Sequence, residues 1–180
     1  MHLQNITLIS FGYFDREFLQ KIADNIQQEF LTTVNIKEGH IDVSDFFDAA
    51  RGQYNANQLS LFIESNFSTD DSKLIGLFNV DLFIPIFTYI FGQAYLNGRS
   101  GIVSGFRLSN ERYGIEADDD MLLERFSKEI IHELGHTFGL IHCYTSDCVM
   151  RSGTYVEDID LKNSSFCPKC KEELMNGGSV

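Results

Sequence analysis

Three histidines lie in the segment HELGHTFGLIHC at positions 132–143, and their spacing restricts the local fold more than any other feature of the chain. His132 and His136 are four residues apart, so in a helix their side chains project from adjacent turns toward one point. Gly139 can adopt a positive φ and end that helix, which lets the chain return His142 to the same point. Three imidazole ligands leave one position of a zinc ion open for water, as in catalytic zinc sites.

Glu133 is next to the first histidine but points to a different side of the same helix. Its carboxylate can accept a proton from a zinc-bound water, whose pKa zinc lowers toward about 7. The hydroxide attacks a carbonyl carbon, and Glu133 then passes the proton to the leaving amine. The segment therefore predicts hydrolysis of an amide bond, with Glu133 as the catalytic base and His132, His136 and His142 as zinc ligands.

All four cysteines lie in the last third of the chain. Cys143 and Cys148 form a C-x4-C pair, Cys167 and Cys170 form a C-x2-C pair, and both spacings are typical of structural zinc. Disulfides would more often be spread along a small secreted chain. A full shell of four thiolates leaves no room for water, so this second zinc would be structural. Free buried thiols or disulfides are the alternatives that these residues leave open.

A long amphipathic helix from about residue 118 to 138 is predicted to carry the first two histidines. Aspartates at positions 118–120 suit the positive end of its dipole. Apolar residues recur at helical spacing along one side, at Leu123, Phe126, Ile130, Leu134 and Phe138. His132 and His136 fall on the opposite side at 100° per residue, so we expect one face to dock on the core and the other to line a cleft.

The residues before that helix alternate between β-rich and helical patterns. They predict strands at 3–10, 33–43 and 73–83, helices at 14–31 and 55–66, and a hairpin or two neighbouring strands at 88–96 and 102–108. Strand–helix–strand order favours an α/β fold with a parallel or mixed sheet. We expect one domain over 1–180, with the sheet and active-site helix in 1–139 and the cysteine-rich part in 140–180.

The net charge of −12 bears on partners and location. Nucleic acids and anionic membranes are bound by concentrated basic surfaces, so we expect neither as a partner. The first residues lack the basic and long apolar regions of a secretory signal, and the clustered cysteines indicate a reducing compartment. We therefore expect a cytoplasmic monomer.

The last third of the chain resembles the archaemetzincin family of metzincin zinc peptidases. Cys143 directly follows the third histidine, residues 148–150 read Cys-Val-Met, and residues 167–170 read Cys-Pro-Lys-Cys. This matches the family pattern, in which HExxHxxGxxHC is joined to Cys-x-Met and a closing CxxC. Upstream segments extend the resemblance over most of the chain, at 80–85, 91–94, 103–104 and 107–108.

The resemblance implies a metzincin-like fold: a twisted mixed sheet with packing helices, an active-site helix and a small zinc-stapled C-terminal subdomain. It implies two zinc ions, one catalytic on the three histidines and one structural on Cys143, Cys148, Cys167 and Cys170. Met150 would form an apolar floor beneath the catalytic zinc. The substrate would be a peptide or protein that pairs antiparallel with an edge strand, for which 102–108 and 89–95 are the candidates.

The chain departs from the family pattern in three places. The interval from Cys148 to Cys167 is one residue shorter, Arg151 replaces a smaller polar residue, and no tyrosine stands two residues after Met150. Two alternatives to a peptidase use the same residues, a zinc hydrolase of a non-peptide amide and a zinc-stabilised peptide-binding protein with little turnover. An intact Glu133 speaks against the second.

Overall fold

The fold is built on the β-branched run that follows Gln4. In the computed structural model, which describes residues 4–177, this run forms strand β1 (Asn5–Phe11), and the residues from Ile6 to Phe11 are all buried. Such a continuous buried run is typical of a strand that has parallel neighbours on both sides. The strand predicted at 3–10 is therefore confirmed, except for position 3, which lies outside the described residues.

Residues 4–177 form eight strands and five α-helices. The strands after β1 are β2 (Val34–Gly39), β3 (Phe47–Asp48), β4 (Gln53–Asn55), β5 (Ser72–Phe78), β6 (Leu82–Phe83), β7 (Gly92–Ala94) and β8 (Ser100–Ser104). The helices are α1 (Arg16–Phe30), α2 (Ala56–Phe67), α3 (Asp119–Thr137), α4 (Val156–Leu161) and α5 (Pro168–Met175). Short 3₁₀-helices cover Val43–Phe46 and Asn110–Tyr113.

The main sheet has five strands in the order β2-β1-β5-β8-β7. The first four are parallel and β7, at the edge, runs antiparallel to β8, so the predicted mixed sheet is confirmed. A second sheet joins β3, β4 and β6. Sequence patterns did not predict it, because strands of two or three residues are too short to display a period.

Apolar layers cover both faces of the main sheet. The larger layer joins the sheet to α1 and α3, and it includes Ile22 and Ile130. The other joins the opposite face to α2 through Leu59 and Ile63. Each of these side chains is 0% exposed, and full burial of one aliphatic side chain contributes about 1.5–3 kcal/mol. The larger layer holds α3 against one face of the sheet, and the other layer holds α2 against the opposite face.

Helix α1 forms where the sequence predicted a helix at 14–31. Asp15 caps it, with Oδ1 2.9 Å from the amide nitrogen of Phe18. One stripe of the helix faces the core, and its buried residues are Leu19, Ile22, Ala23, Ile26 and Phe30. This stripe packs toward α3, so α1 supports the helix that carries the candidate site.

Helix α3 follows the predicted boundaries but is buried more deeply than predicted. Asp118 caps it, with Oδ1 2.9 Å from the amide nitrogen of Met121. One face packs on the core and His132 and Glu133 line a cavity, as predicted, but residues 125–135 are all buried, so the histidine side is largely covered as well. The C-terminal segment is the reason, because Val149 and Met150 pack against the histidine side of the helix and are 0% exposed.

Two other predicted strands are longer than those observed. The strand predicted at 33–43 ends at Gly39, and the strand predicted at 73–83 ends at Phe78. In the second case the chain turns, and Leu82–Phe83 pairs with the small sheet instead. The predicted helix at 55–66 and the predicted hairpin are confirmed as α2 and as the β7–β8 pair.

The C-terminal part packs on the rest of the chain through α4, α5 and their loops. Phe166 meets Phe30 of α1 edge to face, with ring centroids 5.3 Å apart, and Lys171 Nζ donates to the carbonyl oxygen of Glu29. Neither short helix was predicted from the sequence. Within residues 4–177, none of the helices combines the length and apolar character needed to cross a bilayer.

Candidate active site

Helix α3 supplies two of the three histidines, and backbone carbonyls orient both rings. His132 Nδ1 lies 2.8 Å from the carbonyl oxygen of Val149, and His136 Nδ1 lies 2.8 Å from that of Leu140. Because a carbonyl can only accept, each Nδ1 carries the proton and each Nε2 presents a lone pair. The two Nε2 atoms lie 3.1 Å apart, so both lone pairs can be directed at one ion.

A sharp turn after α3 brings the third histidine to the first two. Gly139 has a φ of +94°, a left-handed conformation that a side chain would disfavour. The ring of His142 lies 5.2 Å from that of His132 and 4.9 Å from that of His136, between centroids. One ligand nitrogen from each histidine lies within 4.8 Å of the other two. The structure thus brings the three predicted ligands together.

The histidine cluster fits a zinc ion with an open side. Zn–N distances of about 2.0–2.1 Å at tetrahedral angles separate two ligand nitrogens by about 3.3 Å, close to the distance between His132 and His136. Burial lowers the pKa of all three imidazoles, and that of His132 falls well below its usual range. Burial therefore favours the neutral form, which is the form that binds metal.

The carboxylate of Glu133 is buried between α3 and the edge strand β7. A Cβ atom at Gly92 of β7 would lie 2.9 Å from Glu133 Cγ, so the two elements are in close contact there. Burial raises the pKa of Glu133 well above its usual value and the charge of Glu129 adds to the rise, whereas Lys162 and the backbone N–H of Ala94 oppose it. The environment of this carboxyl group favours uptake of a proton.

A cavity of about 400 Å³ opens beside these groups. Residues 87 and 89–92 line one wall and residues 152–154 line another. The remaining lining residues are Glu129, His132, Glu133, His142 and Lys162. Its volume is within the range of about 300–1,000 Å³ that is usual for ligand sites. A larger cavity of about 620 Å³ lies at the opposite end of α3, but none of the predicted site residues line it. We therefore assign the chemistry to the smaller cavity.

The four cysteines also come together. Their sulfur atoms all lie within 4.8 Å of one another, and Cys143 Sγ is 3.8 Å from Cys167 Sγ. The backbone N–H of Cys167 donates to Cys148 Sγ at 3.3 Å, and that of Thr145 donates to Cys143 Sγ at 3.4 Å. Hydrogen bonds of this kind favour the charged thiolate, which is the form that binds zinc.

The geometry of the cysteine cluster fits zinc and does not fit disulfides. Four Zn–S bonds of about 2.3 Å at tetrahedral angles separate the sulfurs by about 3.8 Å, whereas a disulfide needs about 2.05 Å. All four residues are free thiols. Burial raises the pKa of Cys148 and Cys170. Burial alone would raise the pKa of Cys167 too, but hydrogen bonds from the N–H of Cys170 and from neighbouring thiols lower it to about 7.

A short stretch of backbone connects the two clusters. His142 and Cys143 are adjacent, and the N–H of Cys143 donates to the carbonyl oxygen of Met150 at 3.0 Å. Met150 packs so closely against α3 that a Cβ atom at Gly135 would overlap its sulfur. The side chain of Met150 thus lies directly against the helical turn that joins His132 to His136.

One of the two candidate platforms for a peptide substrate is wrong. Strand β8, which contains the first half of the segment 102–108, is paired with β5 on one side and with β7 on the other, so it has no free edge. The rest of that segment turns away after Ser104. The alternative segment, 89–95, contains β7, the outermost strand of the main sheet.

The polar groups that surround the three histidines were not predicted from the sequence. The carbonyl groups of Val149 and Leu140 leave no sequence signal, because every residue carries a carbonyl. An ion pair between Lys162 and Glu129, whose charged atoms are 3.0 Å apart, was not predicted either. The only available signal was the spacing of Glu129 three residues before His132, which puts both side chains on one side of a helix.

A third histidine that is delivered by a glycine turn, next to an HExxH helix, is the arrangement that defines metzincins among zinc hydrolases. The mixed sheet and the histidine geometry agree with this class of metallopeptidase. The sequence profile of peptidase family M54 matches residues 3–176. The chain belongs to this family, the archaemetzincins, and is a zinc metallopeptidase.

Individual relatives agree with the family assignment over nearly the whole chain. The archaemetzincin of Haloquadratum walsbyi is 39% identical over 173 residues, which cover 94% of this chain and 98% of the relative. The crystal structure of archaemetzincin from Methanopyrus kandleri covers 97% of this chain and 94% of its own, with a TM-score of 0.83 and 30% identity. That from Archaeoglobus fulgidus, complexed with malonate, covers 93% and 99%, with a TM-score of 0.78 and 29% identity. The predicted fold class and family are therefore confirmed.

Proposed function

We propose that this metallopeptidase holds its catalytic zinc on His132, His136 and His142 and uses Glu133 as its general base. The observation that carries the proposal is the convergence of three ligand nitrogens within 4.8 Å of one another, beside one buried carboxylate. A purely structural zinc site would have a closed ligand shell and no need of that carboxylate. The cavity on the open side gives a substrate access to the same point.

The side chains divide the work of peptide hydrolysis. When bound, the zinc ion supplies a Lewis acid that polarises the scissile carbonyl and lowers the pKa of water toward about 7. Glu133 accepts one proton from the attacking water as the new C–O bond forms, and donates it to the amide nitrogen as the C–N bond breaks. The carbonyl groups of Val149 and Leu140 keep the rings of His132 and His136 in one tautomer throughout this cycle.

The substrate is a peptide or protein, and we propose that it binds along the outer edge of β7. β7 is the outermost strand of the main sheet, and an extended peptide can add to it as a further antiparallel strand. Gly92 and Ala94 of β7 lie close to Glu133, so a peptide on this edge would pass beside the carboxylate. Backbone pairing would supply affinity, and the cavity would accept one side chain.

We propose a second, structural zinc ion on Cys143, Cys148, Cys167 and Cys170, which makes two zinc ions in all. The sulfur spacing and the donated N–H groups support this assignment. Four thiolates complete the shell of this ion, so it takes no part in hydrolysis.

We also propose that the protein is a monomer in the cytoplasm and has no nucleic-acid or membrane partner. Four free thiols in one cluster support a reducing compartment. The net charge of −12 supports the absence of polyanionic partners.

Zinc content and peptide cleavage, measured together, test the proposed function. Elemental analysis should find two zinc ions in the wild type and in Glu133→Gln, and one in His136→Ala. A peptide library should be cleaved by the wild type and by neither variant. Glu116→Gln removes a carboxylate from an exposed loop and serves as the matched control, with both zinc ions and full cleavage.

Three other outcomes of these zinc and cleavage measurements would contradict parts of the proposal. Two zinc ions with no cleavage of any peptide would favour a non-peptide amide substrate or a binding protein. Zinc content that is unaffected by His136→Ala would contradict the catalytic site itself. Full cleavage by Glu133→Gln would leave the zinc site intact and reject the carboxylate as the base.

A further inference from the structure

Lys162 is buried next to the histidine cluster and bridges two parts of the chain. Its Nζ lies 3.0 Å from Glu129 Oε1 and 3.2 Å from the carbonyl oxygen of Arg151. Glu129 belongs to α3 and is one turn before His132, whereas Arg151 follows the buried Val149–Met150 pair. The side chains of Lys162 and Glu129 are 1% and 8% exposed, so this ion pair is shielded from bulk water, and both residues line the inner wall of the candidate active-site cavity.

Stability alone is a poor explanation for this pair. Removing two charges from water costs free energy, and this cost is often larger than the attraction between the charges. A protein in which an apolar pair of similar volume replaces them is often as stable or more stable. The proposed hydrolysis does not use either charge directly. What distinguishes Lys162 is its position, because its ammonium group holds a backbone carbonyl that is two residues from Val149.

Helix α3 therefore holds one short backbone segment at two points. His132 Nδ1 holds the carbonyl oxygen of Val149 at 2.8 Å, and Glu129 holds the carbonyl oxygen of Arg151 through Lys162. A segment held at a single point can pivot about it, whereas a second point fixes its rotation. Orientation of a ligating histidine by such a partner typically accounts for a factor of about 10–100 in metal affinity.

We infer that Lys162 is a positioning residue, which fixes the Val149 carbonyl at His132 and thereby sets the zinc affinity of the histidine cluster. The inference rests on the proposed function, because it takes the histidine cluster to be the catalytic zinc site. It adds a residue outside the HExxHxxGxxH segment to the groups that determine the properties of that site.

Two further hydrogen bonds join the segment 149–151 to other parts of the chain than α3. The N–H of Val149 donates to the carbonyl oxygen of Ser165 at 3.0 Å, and the carbonyl of Met150 accepts from the N–H of Cys143. Both bonds tie the segment to the cysteine-rich part of the chain. They keep the segment in place when Lys162 is replaced, so zinc affinity should fall in part rather than disappear.

Lys128 offers a closely matched control. It is also buried on α3, and its Nζ lies 2.5 Å from Glu124 and 3.2 Å from the carbonyl oxygen of Ile159 in α4. It thus combines one glutamate and one backbone carbonyl, as Lys162 does. Its carbonyl partner is not in the segment that contacts His132, so its removal tests the loss of a buried lysine without the loss of positioning.

The experiment compares zinc affinity at the two clusters by competition with a chromophoric chelator. Glu129→Gln combined with Lys162→Met removes both charges together, so no unpaired charge stays buried. We expect zinc to leave the histidine cluster about 10–100-fold more readily in this variant, with the four-cysteine zinc unchanged. The control, Glu124→Gln combined with Lys128→Met, should retain wild-type zinc affinity at both clusters even if its thermal stability falls.

Undiminished zinc affinity of the histidine cluster in the Glu129/Lys162 variant would overturn the inference, and so would an equal loss in the control. If that variant does not fold, Lys162→Gln repeats the test. Its amide can still bond Glu129 but is one bond shorter and loses its reach to Arg151. A wild type without zinc on the histidines would reject the proposed function and the inference with it. A wild type that binds zinc there but cleaves nothing would leave the inference standing.

Discussion

The histidine and cysteine clusters are neighbours in sequence but are held in different ways. Two of the three histidines project from α3, whose position is set by the apolar layer that it shares with α1 and one face of the sheet. The cysteines lie on loops and at the start of α5, and the segments around them add buried residues such as Val149, Phe166 and Leu174 to the larger layer. The histidines of the first cluster thus lie mainly on one long helix of the core, whereas the second cluster joins loops and a short helix.

The chemistry of the ligands follows the same division. Backbone carbonyls orient His132 and His136, and an open side faces a cavity. The other cluster consists of four thiols, and backbone N–H groups donate to the sulfurs of Cys143 and Cys148. A catalytic ion needs ligands that keep their geometry while one position exchanges, and a structural ion needs a shell that does not open. The variants below test how far the two clusters depend on each other.

The largest effect is expected from Cys170→Ser, which removes a proposed zinc ligand that is 4% exposed. Structural zinc sites contribute apparent binding free energies of about 10–16 kcal/mol to folding, so the part of the chain after α3 should lose its order. Because that part also holds His142 and the Val149 carbonyl, we expect both zinc ions to be lost. Elemental analysis and limited proteolysis measure this outcome. Retention of one zinc with normal cleavage would show that the clusters are independent.

Glu133→Gln should leave both clusters filled and remove only the chemistry. The amide keeps the size of the side chain but cannot take the proton, so kcat for peptide cleavage should fall by about 10²–10⁴. Steady-state kinetics on a cleaved peptide, with zinc content measured on the same sample, test this expectation. A fall in kcat together with a loss of zinc would instead assign Glu133 a role in holding the metal.

Gly135→Ala should disturb the contact between α3 and the segment that joins the clusters. The added methyl group would overlap the sulfur of Met150, which is 0% exposed and has little room to move. Overpacking of this kind costs about 1–3 kcal/mol, and the higher helix propensity of alanine offsets roughly 1 kcal/mol of it. Thermal unfolding measures the net loss. Gly105→Ala is the control, since its methyl group would meet only Asn79 Oδ1 at 3.9 Å.

Asp158→Ala should have the smallest effect and should depend on pH. Asp158 accepts hydrogen bonds from the N–H groups of Tyr155 and Thr154 at the start of α4, which lower its pKa below the usual 3.8. Its contribution is therefore present above the unfolded pKa and is lost as pH falls through the lower folded value. We expect a loss of about 0.5–1 kcal/mol at pH 7 that vanishes in strong acid. Chemical unfolding at pH 7 and in strong acid measures this difference. The same loss of unfolding free energy under both conditions would contradict the capping role.

Local spacing along the chain was enough to predict much of the site. The four-residue step from His132 to His136, the glycine before His142 and the two cysteine pairs are short-range patterns, and helix geometry converts them directly into shared positions in space. The same holds for α1, α2, the β7–β8 hairpin and the mixed sheet, whose periods extend over enough residues to be recognised. Profile and structure comparisons confirmed the family that these patterns indicated.

Contacts between segments that are distant in sequence could not be predicted from local spacing. The burial of α3 on its histidine side depends on Val149 and Met150, which return to the helix from beyond the cysteine pair. The interior position of β8, the small second sheet and the link from Glu129 through Lys162 to the Arg151 carbonyl likewise join residues far apart in sequence. Such contacts depend on packing and on backbone groups that every residue shares, so only the folded chain reveals which of them form.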